Sequence, residues 1–179
     1  MDMLSCFIAG HTPQRFKFKF NEEAPLCCSI KESITMQIRK LYSKGVRRFY
    51  VGCAIGVDMW AAEIVIALKT QAVYADIELF CAIPFPDHTD KFTAGQKKRY
   101  DEILNKCTHK EIISRHYSPV AYKRLNYYMV EKSRYLIAVF DQDKSARSTL
   151  TQMINYAIKN NLSIIYVHPD TAVVSEHIE

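Results

Sequence analysis

Four short stretches concentrate the glycines and polar side chains that could hold an anion or move a proton. GHTPQRF (Gly10 to Phe16) sets His11, Thr12, Gln14 and Arg15 directly after a glycine, and Arg15 offers the charged fork that grips a phosphate or carboxylate. GCAIGVD (Gly52 to Asp58) brackets a turn with two glycines around Ala54; such a turn, opening into a helix, leaves backbone N–H groups and the positive end of the helix dipole facing a guest anion. Asp58 then stands in the first helical turn, where it either complements the dipole or accepts a ribose hydroxyl. IPFPDH (Ile83 to His88) stiffens Phe85 between Pro84 and Pro86, a composition suited to an apolar wall on which a base could stack. FDQDKSARST (Phe140 to Thr149) runs from Asp141 to Ser148 and Thr149, whose hydroxyls at a helix start serve an anion or the ordinary N-cap. Read in isolation, the first and last stretches are also consistent with a polar surface loop and a capped helix.

These stretches sit where short apolar runs give way to helical periodicity. Strands are predicted over Leu4–Gly10, Arg47–Gly52, Asp76–Pro84, Glu111–Ser114, Tyr135–Asp141 and Ser163–His168. Between them, Ile30, Ile34, Ile38 and Leu41 form one helical stripe within Ser29–Lys44, stopped by Gly45. Val57–Ala72 is apolar nearly all round and must be covered on both sides. Further helices are predicted over Thr89–Cys107, Pro119–Lys132 with Pro119 in its first turn, and Ser148–Asn160. Strands alternating with helices imply right-handed parallel crossovers. The expected fold is therefore α/β: a three-layer, Rossmann-like sandwich with a mostly parallel sheet of five or six strands, in a single domain spanning 1–179. In such sheets ligands bind outside the carboxyl ends of the strands, which is where all four stretches fall.

With these residues in view, the chain resembles the YpsA-like branch of the SLOG superfamily, Rossmann-like proteins related to the DNA-processing protein DprA and to LOG-type nucleotide hydrolases. The resemblance rests on GHTPQRF, GCAIGVDMWAAE, the Pro84–Phe85 pair, NYYMVEKS from Asn126, IAVFD from Ile137 to Asp141, and Thr149 followed by Asn155–Ala157, and it spans almost the whole chain. It implies binding of a nucleotide or nucleotide-derived ligand by Gly10, His11, Thr12 and Arg15; by Gly52, Ala54, Gly56 and Asp58; by Pro84, Phe85 and Asn126; and by Asp141, Arg147, Ser148 and Thr149. It also implies a role in sensing or signalling. Two positions depart from the family pattern: Thr12 stands where Arg is usual, and Arg147–Ser148–Thr149 replaces a glycine-containing turn. Arg147 would substitute a charged fork for amide donors. In LOG-type hydrolases a glutamate of the last loop serves catalysis; the corresponding stretch here offers Gln152 and no acid.

Several chemistries are disfavoured by what is absent from the sequence. There is no GxGxxG or GxxxxGK[ST], no HExxH, no GxSxG and no paired carboxylates, which leaves His11 and Asp58 as the one candidate proton-transfer pair. The six cysteines lack a CxxC pair, fitting reduced thiols rather than disulfides or a zinc site, and no metal site is expected. The formal charge of +5 is mild, with local clusters at Lys97–Lys98–Arg99 and at Lys44, Arg47 and Arg48. No signal peptide or membrane span is read, so a cytoplasmic protein with no membrane partner is expected. The leading expectation is a small-molecule binding module for a nucleotide, ADP-ribose or an NAD-like ligand. The alternatives are a nucleotide hydrolase cutting a glycosidic or phosphate bond, and single-stranded nucleic-acid binding with stacking on Tyr127, Tyr128 or Phe85. The aromatic content favours a homo-oligomer, although no motif marks an interface.

Overall fold

A computed structural model of the chain describes residues 4–143, 145 and 147–177. Seven strands form one sheet: β1 (Ser5–Gly10), β2 (Arg48–Val51), β3 (Glu78–Ile83), β4 (His109–Ile112), β5 (Tyr135–Val139), β6 (Ser163–Val167) and β7 (Val174–His177). Their order is β4-β3-β2-β1-β5-β6-β7, with the first six in this list mutually parallel and β7 antiparallel to β6. Five helices connect them: α1 (Pro25–Ser43), α2 (Val57–Lys69), α3 (Ala94–Lys106), α4 (Ala121–Glu131) and α5 (Thr149–Lys159).

Strand alternation divides the core in two. Cys6 and Ile8 of β1 face a layer built on Ile30, Ile34 and Ile38 of α1 with Trp60, Ala61 and Val65 of α2, while Phe7 and Ala9 face Leu125 and Met129 of α4 with Ile154 and Ala157 of α5. Both faces of the central strands are thus apolar, as a doubly covered parallel sheet requires. The predicted stripe of α1 is buried as expected, and Gly45 follows it in a left-handed conformation at φ 94°. The all-round apolarity of α2 is explained by its position: it lies against β1, β2 and β3 and is flanked by α1 and α3.

Three sequence expectations need correction. The sheet has seven strands rather than five or six, because β7 lacks any apolar run and shows only as Val-Ser-Glu-His on an edge. Its direction follows from chain length: only residues 168–173 separate it from β6, too few for a parallel crossover, which takes about a dozen. Pro119 lies ahead of the helix rather than in its first turn, since Val120 is the residue that caps α4. The edge strand β4 also begins two residues before the predicted run and has all four residues exposed.

Chain order fixes where a ligand can enter. From β1 the chain steps outward through β2, β3 and β4, then crosses back to lay β5 on the other side of β1. The β1 loop therefore leads to a helix on one face and the β5 loop to a helix on the other, and the crevice that opens between diverging loops is the ligand position of open α/β sheets.

Candidate functional site

A cleft of about 1050 Å³ opens at this switch point. Its floor is the β1 loop from Ala9 to Gln14 together with Gly52, Ala54, Ile55 and Asp58 at the β2–α2 turn. One wall is the start of α5, from Ser148 to Met153; the other is formed by His88, Lys91, Phe92, Thr93 and Gln96 ahead of and within α3, with Tyr122, Lys123 and Asn126 of α4. Of the residues expected from sequence, Gly10, His11, Thr12, Gly52, Ala54, Asp58, Asn126, Ser148 and Thr149 line this one cleft.

The two glycine turns interlock. A Cβ on Gly10 would lie 2.7 Å from Val57 Cγ2, and one on Gly56 would lie 2.9 Å from the His11 carbonyl oxygen. Gly56 also needs its φ of 101°, as the residue capping α2, and Cys53 adopts a left-handed φ of 59° within the same turn. These glycines let the loops after β1 and β2 touch; Gly56 itself supports the floor from behind rather than lining it. At Gly52 an added Cβ would meet Asp58 Oδ2 at 2.8 Å, so the missing side chain leaves room for the Asp58 carboxylate above the strand end.

Asp58 accepts the Ala54 N–H at 3.3 Å. Burial, only partly offset by that bond, pushes its carboxyl up to about 7. His11 is shifted the other way: burial and then the neighbouring Arg15 charge lower its pKa, which keeps the imidazole neutral at pH 7. The ring contacts Phe16 and Phe140 with centroids at 6.3 Å and 6.0 Å, and its Nε2 is buried with no hydrogen-bond partner among the described residues.

Arg15 does not line the cleft. Its guanidinium bonds Asp141 Oδ2 at 2.8 Å and Asp170 at 3.2 Å and 3.0 Å, tying the β1 loop to the ends of β5 and β6. Asp141 is held in the same cluster, so neither residue has its charge free for a guest. Arg147 is exposed and outside the cleft lining, and Lys144 and Ala146 beside it are not among the described residues. Pro84 and Phe85 are buried behind the wall. Phe85 sets edge contacts to Tyr122 at 5.7 Å and His88 at 6.1 Å, so it braces two lining residues instead of offering its own face.

The stacking residues named for nucleic acid are likewise engaged: Tyr127 stacks on Tyr156 at 3.8 Å, and Tyr128 donates to Glu111 at 2.5 Å. Of the basic clusters, four cations are ion-paired, Arg47 with Asp76, Arg48 with Glu78, Lys97 with Asp101, and Arg99 with Glu22 and Glu63, while Lys44 and Lys98 form no ion pair among the described residues. Lys91 and Lys123 also form no ion pair among the described residues, and they are the two cations that line the cleft. Lys123 rests its ammonium over the Tyr127 ring at 5.3 Å, a contact that leaves its charge without a carboxylate.

Sequence reasoning missed these two lysines together with Phe20, Phe92 and Tyr122. Phe20 reaches the cleft from the loop after β1, which is pinned by Phe16 and Phe18 stacked at 4.9 Å and packed on Trp60. Glu22 in the same loop pairs with Arg99 at 2.6 Å and Lys31 at 2.6 Å. Burial opposes the Glu22 charge, but those two cations outweigh it and hold the carboxyl down to about 2.

Fold and site together define a Rossmann-like α/β protein with a cleft at the switch point of its sheet. The chain belongs to the YspA SLOG family (YpsA), whose match covers residues 6–172. It is 26% identical over 139 residues to a UPF0398 protein of Bacillus cereus (strain G9842), covering 76% of this chain and 74% of that protein. To a UPF0398 protein of Halalkalibacterium halodurans it is 35% identical over 117 residues, 64% of this chain and 61% of that one. Among solved structures it is similar to DNA processing protein A (DprA) of Streptococcus pneumoniae, with a TM-score of 0.57 and 12% identity, and to that of Helicobacter pylori, with a TM-score of 0.59 and 18% identity. Each superposition covers 92% of this chain but only 50% and 65% of the respective DprA chain, so the likeness is one of fold over part of a longer protein. No helix among the described residues is long and apolar enough to cross a membrane.

Proposed function

We propose that this protein binds a nucleotide or nucleotide-derived ligand in the switch-point cleft and acts as a sensing or signalling module. The observation that carries the reading is convergence: the loops after β1, β2 and β5, distant in sequence, line one cleft into which α2 and α5 open their first turns. Helix starts and glycine turns supply main-chain donors for phosphate. Asp58 supplies an acceptor for a sugar hydroxyl. Calorimetric titration with AMP, ADP, ATP, GTP, ADP-ribose and NAD tests the reading. Saturable heat from at least one of them, lost in Asp58→Ala, is expected; folded protein that gives no heat with any of them refutes it.

A second reading, hydrolysis of a glycosidic or phosphate bond, is favoured by one observation. A carboxyl raised to about 7 in a cleft is suited to passing a proton at neutral pH. Product formation on the same panel, abolished by Asp58→Asn, would establish it. The Helicobacter pylori DprA binds single-stranded DNA. Carrying that property to this chain requires stacking surfaces other than Tyr127, Tyr128 and Phe85.

A further inference from the structure

The cleft is larger than one nucleotide needs: at about 1050 Å³ it stands at the top of the range usual for a small-molecule site, and its lining extends from the start of α5 across the β1 and β2 loops to the segment ahead of α3. Its inner part, around His11, Asp58 and the start of α5, holds the groups assigned above to a nucleotide. Its outer part is different in kind. There Phe20, 57% exposed, and Tyr122, 42% exposed, are large apolar side chains left open to water, and Phe92 lines the same end. Both cleft lysines, Lys91 and Lys123, belong to this outer wall.

Most large apolar side chains of the protein are buried, so aromatic rings kept exposed on the rim of a concave site mark a binding surface. Phe20 in particular is held there: the aromatic stack on Trp60 and the Glu22–Arg99–Lys31 ion pairs fix its loop on either side. Lys91 and Lys123 have no carboxylate partner among the described residues, and they are the two cations that line the cleft. Exposed aromatic faces interleaved with cations that lack a carboxylate are the combination that holds a base and its phosphate without reading sequence.

We propose that the cleft has two subsites and that the outer one, formed by Phe20, Lys91, Phe92, Tyr122 and Lys123, takes a second nucleotide unit. The ligand class is then a linear dinucleotide joined by a phosphodiester, one unit inside and the second base stacked at the rim. This rests on the inner site binding a nucleotide, and it adds the length and chemistry of what the site accepts. The linking phosphate lies within reach of the lysines, so binding should weaken as salt rises.

The test compares 5′-AMP, 5′-phosphorylated diadenylate and 5′-phosphorylated tetra-adenylate by calorimetry on the parent protein and on Tyr122→Ala, Phe20→Ala and Lys91→Gln/Lys123→Gln. All these positions are exposed, and a thermal melt verifies that each variant is folded. The diadenylate is expected to bind on the order of tenfold more tightly than AMP, the size of one stacked base. The variants should bring the diadenylate down to the AMP value while AMP itself is unchanged. The double lysine variant should also flatten the salt dependence of diadenylate binding, because the positive charge facing the linking phosphate is gone. AMP binding with no gain for the diadenylate overturns the second subsite and leaves the inner site standing. A further gain for the tetra-adenylate overturns the two-unit limit in favour of an open strand-binding groove. Failure of all three ligands, together with the wider nucleotide panel, overturns the inner site as well.

Discussion

Replacing Asp58 with asparagine should make the protein more stable at pH 8 and leave its stability unchanged near pH 4. In the unfolded chain this carboxyl titrates near 3.8, and in the folded protein near 7. Between those values the folded state carries a proton that the unfolded state has released, so Asp58 lowers stability as pH rises through that interval and the full penalty is present above 7. One pKa unit corresponds to about 1.4 kcal/mol, which gives about 4 kcal/mol for a fully enclosed group. The side chain is partly open to the cleft, and solvent screening reduces this to about 2–3 kcal/mol. Asparagine keeps an oxygen for the Ala54 N–H and never ionises. Urea unfolding of parent and variant at pH 4 and pH 8 measures the difference directly. A variant that gains nothing at pH 8, or gains equally at both pH values, refutes the claim that an ionised carboxylate is destabilised in this cleft. A gain at pH 8 accompanied by loss of nucleotide binding would show a residue retained for its chemistry against the interest of stability.

Gly56→Ala should destabilise by about 2–4 kcal/mol in denaturant titration, since the Cβ meets the His11 carbonyl at 2.9 Å on a backbone with φ of 101°. Arg99→Met should lower stability by about 1–3 kcal/mol at pH 7 because it removes a partner of a part-buried carboxylate. The Glu22 share of that loss should shrink as pH falls from 4.5 towards 2, where its carboxyl takes up a proton, as unfolding curves at several pH values would reveal. A thiol reagent added to native protein should modify Cys28 rapidly and Cys107 more slowly, leaving Cys6, Cys27, Cys53 and Cys81 until denaturant is added; fast release of more than two thiols would contradict the burial described. A nucleotide of the panel present at a hundredfold excess over its Kd should stabilise the fold by about 2.7 kcal/mol, read as a rise in Tm.

The parts of the fold visible in sequence were those set by local periodicity. Ile30, Ile34, Ile38 and Leu41 announce the buried face of α1, and the apolar runs ending at Gly10, Gly52 and Asp141 announce the three central strands whose loops meet at the cleft. β7 was invisible because an edge strand with one half-buried residue needs no hydrophobic signature. In the site, glycine turns at strand ends are local features and were legible. What Arg15 binds was not, since its partners lie 126 and 155 residues away, and only folding decides whether a guanidinium faces a ligand or an aspartate. Lys91 and Tyr122 gave no signal for the same reason: nothing adjacent to either in the chain distinguishes it from an ordinary surface residue.

The backbones at Gly56 and His11 approach so closely that a Cβ would not fit between them, which couples the first two crossovers. A guest that lifts the turn at His11 would press on the beginning of α2, and one helical turn further along sits Trp60, the sole tryptophan of the chain, packed against Phe16 and Phe18. Its intrinsic fluorescence is thus a built-in gauge of occupancy that needs no label and responds to any guest able to shift that turn, whatever its chemical identity.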